Sequence, residues 1–342
     1  MADLIIGGAG FIGCNLADRL LKQGKDVVVL DNFSRKGTRN NFSWLRKTYP
    51  GVNLVEADIT KDFDELKHAV KDAENVYHLA GQVAVTTSVV RPRMDFEINA
   101  LGTFNVLEAV RQANPEAFVL FSSTNKVYGG LEHEPVVMKG KRYEFKRLKK
   151  GVSEKMNLDF HSPYGCSKGA ADQYVRDYPR IYGLKTVVLR QSCIYGPRQF
   201  GIEDQGWVAW FTIAALLDRP ITIYGNGKQV RDLLHSDDLI DAFLIAVKSK
   251  RKSSGKVYNV GGGYKNSISL LEFLEILEKE LGRKIPRKFD ATRPGDQPIY
   301  ISDNSLIKKE LGWEPKINAK KGLKQLIGWV GENQEEIKQV LG

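Results

Sequence analysis

A chain of 342 residues, 42% hydrophobic and 27% charged, has the composition of an ordinary globular protein and is long for one compact domain, which predicts one large domain with a smaller lobe. No apolar run approaches the roughly 18 residues of a membrane span, and the start, Met1-Ala2-Asp3-Leu4-Ile5-Ile6, runs directly into a strand-like segment, so a cytoplasmic protein with no membrane partner is expected. The net charge of +10 is spread along the chain without a nucleic-acid-binding motif, which favours an anionic small substrate over nucleic acid.

Residues 3–7 read as a short buried strand, followed by Gly8-Ala9-Gly10-Phe11-Ile12-Gly13 and an amphipathic run through Leu16, Leu20 and Leu21. Glycines at 8, 10 and 13 fit the dinucleotide fingerprint, and Gly7, Gly10 and Gly13 fit a three-residue repeat of it. Either way the backbone can approach a pyrophosphate at a helix N-terminus. A second strand at 27–30 ends in Asp31, 18 residues after Gly13, where a carboxylate accepts from an adenosine ribose and repels a 2′-phosphate. NAD is therefore expected over NADP, although Arg35 and Lys36 follow closely.

Strand-like runs at 53–56, 76–79, 118–121 and 186–189 alternate with helix-period segments, which predicts a doubly wound parallel α/β sheet of the Rossmann type. By position, Asp58 and Ile59 meet the adenine, and Leu79, Ala80 and Gln82 line the groove at the strand ends. The strand at 118–121 runs into Ser122-Ser123-Thr124-Asn125-Lys126, where Thr124 can bond a substrate oxygen. Residues 133–159 are polar and lysine-rich and read as a solvated insertion, with a lid or a subunit contact as the alternative.

Past Gly196-Pro197 the chain leaves the first domain. Trp207, Trp210 and Phe211 fall at helical spacing, a core pattern more than a ligand platform. Residues 225–232 read as a turn, 237–247 and 268–281 as helices, 257–261 as a strand rejoining the sheet, and 291–296 as a loop carrying Arg293. The expected division is 1–190 with 232–262 for the cofactor and 191–231 with 263–342 for a smaller lobe. Cys14, Cys166 and Cys193 are too far apart in sequence for a metal or redox pair, and no metal is expected.

Ser162-Pro163 is a helix start, and Tyr164 and Lys168 then lie four apart on one helix face. An ammonium beside a phenol favours its ionised form; bringing a phenol from pKa 10 to neutrality takes roughly 4 kcal/mol of such interaction. A tyrosine so tuned is a usable general acid or base.

With Gly7, Gly10, Gly13, Asp31, the Ser-Ser-Thr segment, Tyr164 and Lys168 in this order, the chain resembles the extended short-chain dehydrogenase/reductase family of nucleotide-sugar enzymes along essentially its whole length. Ile6 departs from the threonine usual there. The resemblance implies tightly held NAD, contacted by Gly7, Gly10, Phe11, Ile12, Gly13, Asp31, Asn32, Ser34, Arg35, Asp58, Ile59, Leu79, Ala80, Gln82, Asn99, Ser122, Tyr164 and Lys168. It makes Tyr164 the base, Lys168 its tuning partner, and Thr124 the group that orients the sugar hydroxyl. Arg198, Arg231 and Arg293 are implied substrate contacts, the last two on the nucleotide diphosphate.

Runs 30–37, 78–84 and 123–129, with the stretch 159–174, are most similar to a branch that interconverts a CDP-linked hexose with its C2 epimer and assembles as oligomers. A homo-oligomer acting on a CDP-sugar is expected. Dehydratases of the family carry an Asp-Glu pair directly after the threonine, where this chain has Asn125 and Lys126. The stronger rival is a UDP-hexose 4-epimerase, which needs the same catalytic groups; a non-catalytic NAD-binding sensor is a further alternative.

Overall fold

The computed structural model describes residues 2–293 and 296–342. Met1, and Pro294 and Gly295 of the expected 291–296 loop, lie outside them. The main sheet holds seven parallel strands: β1 Ala2–Ile6, β2 Val27–Asp31, β3 Asn53–Glu56, β4 Ala73–His78, β5 Phe118–Thr124, β6 Lys185–Gln191 and β7 Lys256–Val260. Their order is β7-β6-β5-β4-β1-β2-β3. Leu4-Ile5-Ile6 and Phe118-Val119-Leu120-Phe121 are buried throughout, because a parallel sheet is covered by helices on both faces.

One face packs Ile5, Val29 and Leu120 against Leu16 and Leu20 of helix α1 (Phe11–Lys22) and against Leu239 and Phe243. The other packs Leu4, Val119 and Phe121 against Leu107, Val110 and Val175. The direction of winding reverses between β1 and β4, and this switch point opens the crevice where ligands of such sheets bind.

A second sheet is built on strand Val230–His235, which pairs with Cys193–Tyr195, Ser267–Ser269 and Ile299–Tyr300. Helices Trp207–Leu216, Leu270–Leu281 and Ala319–Glu332 cover it, with Trp207, Phe211 and Phe273 in mutual edge contact. The turn expected over 225–232 thus ends in a strand, and residues 232–235, grouped by sequence with the cofactor unit, lie in the second sheet. Conversely, Ile307, Leu311 and Trp313 pack into the core of the main sheet.

The insertion at 133–159 is not a merely solvated loop. Its hairpin, Val136–Lys139 with Arg142–Phe145, packs Phe145 and Val152 with Val127, Tyr128 and Tyr300. The lysines that dominate its composition point outward and conceal apolar positions sufficient for a small core.

Candidate active site

The tyrosine helix α2 spans Ser162–Tyr182, and the Ser162 hydroxyl accepts the Gly165 N–H at 3.2 Å. Tyr164, Lys168 and Asp172 recur every four residues, so all three face the sheet. Asp172 fastens the helix: Ser123 of β5 donates to it at 2.7 Å, and Arg190 of β6 forms a wholly buried pair with it at 2.8 Å. This fixes Tyr164 against Thr124, whose hydroxyl is its hydrogen-bond partner. Lys168 donates to the Ser122 carbonyl at 2.7 Å and lies 4.2 Å from the Phe121 ring centroid.

The electrostatics differ from the sequence expectation. Burial pushes the Tyr164 phenol up to about 12, against the Thr124 hydrogen bond and the Arg35 charge that lower it. Burial likewise pushes the Lys168 amine down to about 7, with Asp172 and Asp95 opposing. Four-residue spacing places both groups on one face, but removal from water dominates each shift, and the charges that act on them are Asp95 and Arg35 for the phenol and Asp172 and Asp95 for the amine.

On the cofactor side, Gly7 has φ +82°, and a Cβ there would stand 2.6 Å from Ala80 N; a Cβ on Gly13 would stand 2.3 Å from Gly7 O. These glycines let β1, β4 and α1 close on one another. Gly10 leaves the N-terminus of α1 without a side-chain cap or a first-turn acid, so its amides are available to an anion. Asp31 accepts from Ala9 N at 3.0 Å and Phe33 N at 2.9 Å. Burial raises its pKa against those two bonds. Asn32 donates to Asp58 at 2.9 Å. Gly7, Gly10, Phe11, Ile12, Gly13, Asp31, Asn32, Ser34, Arg35, Asp58, Ile59, Leu79, Ala80 and Gln82 line one continuous groove. The glycine cradle, the uncapped amides and the Asp31 carboxylate on one groove fit NAD.

Asn99 and Ser122 are placed differently. Asn99 is buried behind the groove, accepting from Gln82 N and donating to Asp95, and Ser122 accepts from Gln191 and Lys168. Arg198, expected at the substrate, instead lays its guanidinium over the Trp44 ring. Arg231 pairs with Asp296 at 2.5 Å. Arg293 pairs with Asp204 at 2.9 Å and lies over Tyr224.

Sequence reasoning missed Asp95 and Ser167. Asp95, with no exposed surface, takes bonds from Ser167, Gln82 and Asn99 and acts electrostatically on both Tyr164 and Lys168. The Asp95-x-x-x-Asn99 spacing was its only sequence signal. His78, within the run 78–84, has its Nε2 2.9 Å from Thr103 Oγ1, which donates its own proton to Asn99 O at 2.6 Å. His78 is therefore the donor there, a neutral ring whose pKa burial lowers to about 3, aided by the Lys168 charge.

A Rossmann sheet with a glycine loop, an acid at the end of the second strand and a Thr-Tyr-Lys constellation at the strand ends defines a nicotinamide-dependent enzyme. The family described as GDP-mannose 4,6 dehydratase matches residues 4–326, and the chain belongs to that family of NAD-dependent epimerases and dehydratases. It is 46% identical to the CDP-paratose 2-epimerase of Salmonella typhi over 96% of this chain and 99% of that one. It is 35% identical to a putative UDP-glucose 4-epimerase of Methanocaldococcus jannaschii, covering 96% and 98%. The solved UDP-glucuronic acid 4-epimerase of Bacillus cereus, in complex with UDP-glucuronic acid and NAD, superposes with a TM-score of 0.83 at 28% identity, covering 97% and 99%. The protein is a nucleotide-sugar epimerase that uses NAD. No helix among the described residues is long and apolar enough to cross a membrane.

Proposed function

We propose that the protein epimerises a CDP-linked hexose at C2, in the manner of the CDP-paratose and CDP-tyvelose pair. The observation that carries this reading is the whole-length 46% identity to a CDP-paratose 2-epimerase, set against 35% to a 4-epimerase. NAD, which the Gly7–Gly13 loop and Asp31 would hold, would supply a hydride acceptor for C2 and a hydride donor for the other face of the ketone, so no net redox change is expected.

The chain's own groups handle the proton and the charge. Thr124 and Tyr164 hold the C2 hydroxyl, and Tyr164 takes its proton. A phenol held near 12 releases a proton only in the company of a cation, so this step depends on Lys168 being charged. Asp95, buried beside both, favours the Lys168 ammonium. Arg231 and Arg293 hold the diphosphate with guanidinium forks.

Incubating the purified protein with CDP-, UDP- and GDP-hexoses and resolving the products by NMR tests the reading. A C2 epimer from the CDP-hexose is expected; turnover of UDP-galactose alone would overturn it in favour of the C4 reaction.

A homo-oligomer in the cytoplasm completes the proposal. Val89, Val90, Phe96, Leu101 and Phe104 are exposed on the segment facing α2, which itself exposes Tyr174, Ile181 and Tyr182. Phe104 and Tyr174 meet edge to face at 5.7 Å, joining these into one apolar face suited to a second copy. Sedimentation of a Val90→Asp, Ile181→Asp variant as a smaller species than wild type is expected; cell fractionation tests location.

A further inference from the structure

The Thr124 hydroxyl has one proton and two claimants for it. It is the hydrogen-bond partner of Tyr164, accepts the Lys126 N–H at 3.2 Å and donates to Asn125 Oδ1 at 3.4 Å. While the phenol is protonated it donates to Thr124, and Thr124 passes its own proton to Asn125. An ionised phenol takes that proton for itself, and the bond then favours the ionised form. Whatever holds the Asn125 oxygen in place therefore bears on how readily Tyr164 ionises.

Asn125 is held from a segment 172 residues away: its Nδ2 donates to Gln297 Oε1 at 3.4 Å, and Gln297 Nε2 donates to Gly129 O. Both side chains are buried, Gln297 to 1% exposure and Asn125 to 9%. The two ends of a side-chain amide are alike in shape, but a backbone carbonyl accepts and never donates. Gly129 O therefore fixes the NH2 end of Gln297. The Gln297 oxygen then faces the Asn125 NH2, and the Asn125 oxygen is left for Thr124. Two amides in a row carry the polarity of one carbonyl to the hydroxyl beside Tyr164. The 3.4 Å contacts are long, and hydrogen bonds at a reacting group tighten when substrate is seated. Gln297 directly follows Asp296, the partner of Arg231 at 2.5 Å, so the row begins beside the arm proposed for the diphosphate.

We propose that Asn125 and Gln297 are positioning residues that fix the direction of the Thr124 proton, holding it away from Tyr164 until the phenol ionises and so setting the pH at which the base becomes available. The inference rests on the reading of Tyr164 as the base and not on which carbon of the sugar reacts. The charged groups that face the phenol are Asp95, of the helix Pro92–Phe96, and Arg35, after β2, with Lys168 one turn on in α2. Lys126 and Asp296, which interact electrostatically, adjoin Asn125 and Gln297 in the chain. All five are kept in every amide variant.

The test follows kcat/KM against pH for the full-length protein with NAD bound, using the nucleotide sugar that wild type epimerises, in Asn125→Ala, Gln297→Met, Asn125→Asp and Tyr164→Phe. Asn125→Ala removes the competing acceptor, and Gln297→Met lets the Asn125 amide turn its NH2 toward Thr124. Both free the Thr124 proton for the phenolate, so the acid limb is expected about half a unit to one unit lower in pH, the scale of one neutral hydrogen bond. Asn125→Asp keeps the acceptor and adds an anion, so its limb moves to higher pH. A loss of folded protein lowers the rate at every pH without displacing the limb, and the isosteric Asn125→Asp carries the test where Asn125→Ala does not fold. Limbs that all stay at the wild-type position, or Asn125→Ala and Asn125→Asp moving in one direction, overturn the inference alone. A fully active Tyr164→Phe with the wild-type acid limb removes the reading of Tyr164 as the base instead, whatever the amide variants do.

Discussion

On the cofactor side of the cleft, polar groups are bonded to the ends of the main sheet: Asp31 to two backbone amides, Lys168 to a strand carbonyl, Asn99 to the Gln82 backbone. On the side where the proposal puts the substrate, Arg231 and Arg293 are bonded to carboxylates, Asp296 and Asp204. The first arrangement is fastened to backbone atoms at the end of the sheet. In the second, under the proposed function, a diphosphate would compete with carboxylates for the same guanidinium groups, so affinity there would be a difference between two pairings. Chemistry and cofactor retention should therefore be sensitive to changes on the first side, and substrate affinity should respond mildly and in either direction on the second.

The largest effect is expected from Tyr164→Phe. Losing the proton-transferring hydroxyl should lower turnover by about two to four orders of magnitude, while NAD stays bound because the groove residues are untouched. Retained activity would show that the Thr124 and Lys168 framework uses another base.

His78 gives an intermediate effect with a defined sign. Its folded-state pKa of about 3 lies below the unfolded value near 6.5. As pH falls below 6.5 the unfolded chain takes the proton first, so stability is lost progressively from 6.5 toward 3, by at most about 1.4 kcal/mol per pH unit. Denaturant melts of wild type and His78→Asn across that window should differ in slope, the wild type losing stability more steeply. Parallel slopes would mean that the ring does not stay neutral inside the fold.

The smallest effect belongs to the substrate side. Asp204 and Arg293 are partly exposed, 48% and 25%, and such pairs are worth about 1 kcal/mol or less. Asp204→Asn should leave thermal stability nearly unchanged and lower the KM for the nucleotide sugar by no more than a few-fold, by releasing the guanidinium. A raised KM would mean that Asp204 positions Arg293 instead of competing for it.

This contrast also explains what the sequence revealed. The glycine loop, Asp31 and the Tyr164–Lys168 spacing are local patterns, each contained within one strand, turn or helix, and they sit where the sheet places them. Asp95 takes a bond from Ser167, 72 residues away, and nothing local marks such a partnership. The stacking of Arg198 on the Trp44 ring was not legible either, since that partner lies far back in the chain. The strand Val230–His235 begins inside what reads as a turn, since its pairing partners come from three distant segments. Periodicity carried the main sheet; the smaller lobe depends on contacts that periodicity does not record. The downward shift expected for Tyr164 failed for the same reason, because burial is a property of the assembled cleft.

The central claim is that C2 is transiently oxidised and the same hydrogen returned. A CDP-hexose deuterated at C2, converted in ordinary water and followed by NMR, should yield an epimer that keeps its deuterium at C2, and unlabelled substrate converted in heavy water should gain none. Loss of the label, or solvent deuterium at C2, would contradict the account and require direct proton exchange at that carbon.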